Sequence, residues 1–242
     1  MRIIQTDGVA TSTRTGINSD FEKARSPHSA SLLIEKHWAQ EESLVVYQEV
    51  IQKGKSNFAI FKGVFMLLEL LQGRRSVRQF QAKAVEQEKV DYLVEAVLRS
   101  PSSRSLNPWE FVVVDDEKTL QALARAKTHG AAFVKNAPLA IVVCADPEKC
   151  DVWVEDCSIA SIILHLAATE LGLGSCWVQI RLRQHENGLP ASAFVADLLG
   201  LRQGMEVEAV VAFGYPAEEK TGHGRDTLLW ERISYNRYGD KR

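Results

Sequence analysis

No stretch of this 242-residue chain approaches the roughly 20 consecutive apolar residues that a membrane-spanning helix requires. The opening MRIIQTDGVATSTRTG also lacks the charged start and apolar block of a secretory signal. Its Arg, Ser and Thr content is shared with transit peptides, but Asp7, Asp20 and Glu22 among the basic residues run against that reading. Excess charge is missing too: 29 Lys plus Arg stand against 31 Asp plus Glu, a net charge of -2. Such a balance argues against nucleic-acid binding through bulk charge, so any anion site must be built locally from a few cations. Cysteine is scarce, with Cys144, Cys150, Cys157 and Cys176 forming no CxxC pair and having no His at metal-ligand spacing. Cys144 and Cys176 fall inside apolar runs, where Cys behaves as a small hydrophobe. These absences lead to the expectation of a reduced, cytoplasmic protein without a metal site.

Hydrophobic residues make up 45% of the chain, enough for one ordinary domain with an extension. Residues 1–30 are polar and aperiodic, which predicts disorder. Residues 31–52 carry Leu32, Leu33, Ile34, Trp38, Val45, Val46, Val50 and Ile51 at loosely helical spacing, followed by a break at 54–56. An apolar segment, residues 57–71, then leads into GRRSVRQF. Met66 falls just before this boundary, and translation starting there would make residues 1–65 an upstream extension. The expected division is an amino-terminal extension, 1–65, and a functional domain, 66–242.

Within that domain an amphipathic helix is expected at 85–98, where Val90, Leu93, Val94, Val97 and Leu98 share a face. A Ser- and Pro-rich loop follows at 100–108, a short buried strand at 111–114 and a helix at 117–127. A second buried strand is expected at 139–144. The helix at 152–171 is apolar nearly all round and must be covered on most sides, at a domain centre or in a dimer interface. Gly172 is its natural cap. A third strand at 176–180, a helix at 193–199 and a strand at 207–213 complete an α+β layer pattern without internal repeat.

Four segments carry groups with chemical potential. Arg74, Arg75, Ser76 and Arg78 form an anion cradle, since guanidinium grips phosphate bidentately and keeps its charge; the alternative is a solvated basic stretch paired with nearby acids. The loop SPSSRSLNPW offers Ser102, Ser103, Ser105 and Asn107 to a polar ring edge, stiffened by Pro101 and Pro108; otherwise it is a connector with Trp109 as a core anchor. In LGLGSCWVQIR, Gly172 and Gly174 permit a sharp turn into a strand whose Trp177 and Val178 would press on a flat aromatic ligand. A capped helix before a buried strand explains the same glycines, and the GxG is too short for a dinucleotide fingerprint. Finally, Lys220 and Arg225 in GYPAEEKTGHGRDTLLW either complete a phosphate site or lie on a mobile surface tail.

The succession RRSxRxF, helix, PSSxxxxPWxFVVV, long apolar helix, LGLGSCW, strand and GYPxEEK resembles the FMN-dependent nitroreductase family over about residues 70–230. The resemblance is nearest to the small bacterial branch with SCW ahead of the flavin-facing strand. It implies a three-layer α+β fold, a central, mostly antiparallel sheet flanked by helices, in a homodimer with FMN at the interface. Arg74, Arg75 and Ser76 would contact the ribityl phosphate with Lys220 or Arg225, and Arg78 the pyrimidine edge. Pro101, Ser102, Ser103 and Ser105 would reach FMN from the partner subunit, while Trp177, Val178 and Gln179 would line the ring with a backbone N–H near N5. Ser105 and Asn107 depart from the Asn and Gln common at those places.

The implied activity takes hydride from NADH or NADPH and passes electrons to a nitroaromatic, quinone or similar small acceptor by a ping-pong route, without an obligatory side-chain acid or base. His165, inside the apolar helix, reads as a satisfied core or interface histidine. The alternatives are a specialised flavin enzyme of the same fold (a dehalogenase or flavin-cleaving enzyme) and a non-catalytic flavin-binding or sensory protein. No nucleic-acid or membrane partner is expected.

Overall fold

The computed structural model describes residues 66–242, so the expected helix at 31–52 and the polar amino-terminal segment lie outside the described residues. The elements are α1 Met66–Gly73, α2 Gln87–Leu98, β1 Trp109–Val114, α3 Glu117–Leu123, β2 Leu139–Ala145, α4 Trp153–Glu170, β3 Gly174–Gln179, α5 Ala191–Leu199 and β4 Glu206–Gly214. Four strands form one antiparallel sheet in the order β1-β2-β4-β3.

Strand alternation explains the layers. On β2 the even residues Ala140, Val142 and Cys144 pack with Leu120 and Leu123 of α3 and Val195 of α5. The odd residues Leu139, Ile141 and Val143 pack with Leu93 and Val97 of α2 and Cys157, Ala160 and Leu164 of α4. Helices therefore cover both faces, giving the expected three-layer α+β arrangement. A strand buried on both faces must be apolar throughout, as LAIVVCA is. β1, expected to be buried, is instead an edge strand with Glu110 and Val113 exposed. Truncating a fully buried side chain such as Leu164 or Phe213 to Ala would cost about 2–5 kcal/mol.

α4 runs through the centre of one layer, yet Ile159 is 40% and Ile162 41% exposed on its outer side. Its near-uniform apolarity is thus only partly used within the chain. No helix among the described residues is long and apolar enough to cross a membrane. The helix ends at Glu170, Leu171 caps it, and Gly172 takes the left-handed conformation, φ 70°, that turns the chain back into β3.

Candidate functional site

A cleft of about 690 Å³ opens where α1 ends and α4 hands over to β3. After Gly73 the chain leaves α1 and runs beside β3, where Val77 N–H donates to Ser175 C=O at 3.0 Å. That places Arg74 and Arg75 on the cleft wall, facing Thr169 and Gly172 at the end of α4. The carboxy-terminal segment supplies the opposite wall. Lys220 Nζ donates to Ser76 C=O at 2.7 Å and lies 2.9 Å from Glu218, while Arg75 donates to Thr221 C=O. Gly222 is what lets this strap lie so close, because a Cβ there would stand 2.2 Å from Gln72 C=O.

Glu218 also accepts the Arg78 N–H at 2.9 Å, and that bond, followed by Lys220, holds its carboxyl below the usual range. Arg74 and Arg75 have no carboxylate within 4.0 Å among the described residues. The donor set is two guanidiniums and an ammonium, which suits a phosphate monoester; the Ser76 hydroxyl turns to the Cys176 thiol. Beneath it, His165 Nδ1 and Ser175 Oγ share a 2.7 Å hydrogen bond. Burial, and then the Arg74 charge, lower the imidazole to about 4, so it is neutral at pH 7. His165 is the satisfied core histidine that its position in an apolar helix predicts.

β3 is the sheet's edge beyond this point. Because Ser175 turns its backbone toward Val77, alternation turns the N–H groups of Trp177 and Gln179 to the same open edge. Trp177 Nε1 donates to Gln179 Oε1 at 2.9 Å, and Gln179 Nε2 donates to Glu208 Oε1 at 3.3 Å and to Arg181 C=O at 3.1 Å. Val178 corrects the expectation: its side chain is 1% exposed and packs in the core on the opposite face. A one-residue step along a strand reverses the face, so Val178 offers no side-chain surface to a ligand at that edge.

The loop at residues 100–107 lies elsewhere. Ser103 N–H donates to Asp156 Oδ1 at 2.8 Å, and Arg104 pairs with Asp151, so the loop is fastened to the start of α4. The cleft meets the other end of that helix at Thr169, about 20 Å away at 1.5 Å per residue. The Ser102 hydroxyl is engaged inside the loop, donating to Asn107 Oδ1 at 2.7 Å and accepting Asn107 N–H at 2.9 Å. Pro101 and Ser105 are exposed.

One chain therefore gathers Arg74, Arg75, the Ser76 backbone and Lys220, and continues along Trp177 and Gln179; Glu218 holds the Arg78 backbone there, while the Arg78 guanidinium lies 5.9 Å from the Phe133 ring. The same chain keeps Pro101, Ser102, Ser103 and Ser105 apart. Arg225 is exposed outside the cleft, its guanidinium 4.9 Å from the Trp230 ring. Two residues escaped the sequence reading. Asp156 and Glu208 are 2% and 3% exposed; their signal was an acid inside an otherwise apolar run, which a folded chain keeps only with partners.

The family model described as the Nitroreductase family matches residues 71–129 and 121–215. A solved structure titled FMN-dependent nitroreductase, from Clostridium difficile R20291, is 42% identical, covers 71% of this chain and 99% of its own, and superposes with a TM-score of 0.70. A relative from Archaeoglobus fulgidus, provisionally named NADH dehydrogenase/NAD(P)H nitroreductase, is 35% identical over 163 residues, or 66% of this chain and 90% of that protein. An NADH dehydrogenase of Thermus thermophilus is 30% identical over the same shares. The family model and these likenesses in sequence and fold show that this chain belongs to the nitroreductase family.

Proposed function

We propose that residues 66–242 act as a homodimeric FMN-dependent oxidoreductase that takes hydride from NADH or NADPH and passes electrons to a nitroaromatic, quinone or similar small acceptor in ping-pong order. The observation that carries this reading is the cleft of Arg74, Arg75 and Lys220 beside the edge of β3, whose Trp177 and Gln179 backbone is unpaired among the described residues. Phosphate and a flat polar ring are the two chemistries those neighbouring features suit. When bound, the flavin supplies acceptance and donation of hydride.

The chain's own residues do the holding. Arg74 and Arg75 would grip the phosphate with charge-assisted bonds, and Lys220 is steadied for the same task by Ser76 C=O and Glu218. Arg78 places positive charge toward the pyrimidine edge, where it favours a reduced, anionic ring. Trp177 and Gln179 present backbone N–H groups to the ring's edge, and their side-chain bond fixes the indole. His165 stays neutral near pH 7 and tied to Ser175, so it carries no proton to or from the cleft.

Two copies complete the site. The loop with Pro101, Ser102, Ser103 and Ser105 cannot reach its own chain's cleft past the length of α4, so the partner subunit provides it. Ile159 and Ile162 on the outer face of α4 give that partner an apolar seat. The four unpaired, buried cysteines suit a reducing, cytoplasmic setting.

The test begins with purified protein, whose absorbance is expected to show bound flavin and whose scattering mass is expected to be that of a dimer. Anaerobic mixing with NADH or NADPH should bleach the flavin before any acceptor is added, and an acceptor panel then restores it. A protein that binds no flavin overturns the proposal. A flavin that stays oxidised with both nucleotides turns the reading to a sensory protein.

A further inference from the structure

A strained loop and a buried acid meet at the opening turn of α4. Arg104 (φ 53°), Ser105 (φ 55°) and Asn107 (φ 46°) all hold left-handed backbone within four positions. Side-chain-bearing residues seldom adopt that region unless their surroundings over-determine it. Ser102 bonds Asn107 from within the loop, and Asp156, only 2% exposed, fastens the residue just ahead of the left-handed run. Its Oδ1 accepts the Ser103 N–H at 2.8 Å, and its Oδ2 lies 3.5 Å from the Cys150 thiol, which donates to it. Arg104 is pinned in turn by Asp151, in the turn that leads into the helix. Asp156 stands three turns or more from the cleft, so nothing in the hydride chemistry uses it directly.

We propose that Asp156 is a positioning residue acting across the subunit boundary: by tying the Ser103 amide to α4, it holds the 104–107 loop in the shape that closes the flavin site of the second copy. The inference rests on the dimeric flavin reading and deepens it. A loop already fixed loses no freedom when ligand binds, so its contacts are retained as affinity. A loop cut free of Asp156 must be ordered at each binding event, and FMN then leaves faster.

The test mixes two defective chains. One carries Asp156→Ala and the other carries Arg74→Ala with Arg75→Ala. Each parent dimer is expected to release FMN tenfold faster or more, about the effect of one lost charged hydrogen bond. In a mixed dimer both defects meet at one site and neither is present at the other. Random exchange should therefore return wild-type retention to about a quarter of all sites, read as a slow phase in the recovery of free-flavin fluorescence.

That slow phase, in mixed dimers isolated through two different tags, supports the proposal. Its absence overturns it, because neither a loop serving its own chain nor a merely structural Asp156 can be complemented in this way. Should Asp156→Ala not fold, Arg104→Gly takes its place in the mixture. Glycine accepts the left-handed backbone but loses the Asp151 pair, so the same slow phase is expected beside a milder parent defect. Wild-type protein lacking flavin overturns both readings and is seen before any mixing.

Discussion

The two ends of α4 solve different problems. At its last turn the cleft is a place of charge: Arg74, Arg75 and Lys220 gather there, and the walls are held by a backbone bond from Val77 to Ser175 and by the Arg75 guanidinium on Thr221 C=O. At its first turn the loop is a place of shape. Three residues with left-handed backbone are fastened by one buried carboxylate and one ion pair. The difference teaches that charge needs only to be brought near its ligand, whereas a strained shape must be held by its neighbours. Substitutions at the cleft should therefore act through affinity, and those at the loop through order.

The largest expected effect lies on the charge side. Replacing Arg74 and Arg75 together with Ala should weaken FMN retention by ~3–6 kcal/mol, at 1.5–3 per lost charged hydrogen bond. Equilibrium dialysis measures it, and unchanged affinity would remove the cleft from the comparison. Next comes pH. The imidazole of His165 is lowered to about 4 in the fold against about 6.5 when unfolded, so the unfolded chain binds the extra proton between those values. Stability is therefore full above pH 6.5 and is lost as pH falls toward 4, by about 3 kcal/mol in all. Denaturant titrations at several pH values should show this slope, and His165→Gln, which can still bond Ser175, should flatten it.

Gly222→Ala comes third. Its Cβ would meet Gln72 C=O at 2.2 Å, so the strap must lift and carry Lys220 out of the cleft. FMN affinity should fall about tenfold with little change in thermal stability. An equal loss in melting temperature would instead make the strap part of the fold. Smallest is Ser105→Asn. Asparagine tolerates φ near 55° better than serine, so the loop should gain a few tenths of a kcal/mol with no loss of FMN. A destabilised Ser105→Asn would show that sequence preference does not govern this loop.

Much of this arrangement could be read from the chain. Arg74, Arg75 and Lys220 each read alone equally well as solvated surface, and only the order of the motifs marks them as one candidate site; the fold does bring the three to one cleft. The layers were legible because LAIVVCA admits only a strand buried on both faces, and because α4 carries too much apolar surface to stand alone. Val178 was misread because strand phase is set by pairing with β4, which the string does not contain. The same holds for the Ser102 hydroxyl, spent on Asn107 inside its own loop. Asp156 and Glu208 look like surface acids until the sheet and helix close over them. Several boundaries moved by a few residues: the helix expected at 117–127 stops at Leu123, where the chain tightens into turns, and β3 begins at Gly174 rather than Cys176.

All four cysteines are buried and unpaired, and burial pushes the Cys144 thiol up to about 12. To a maleimide reagent the folded chain is therefore nearly silent. A single cysteine placed at Ser105, exposed in the single chain, would be the one thiol to take a dye or spin label, and bound flavin is expected to shield it. Such a probe would follow the loop's order directly, in the same molecule whose flavin reports the cleft.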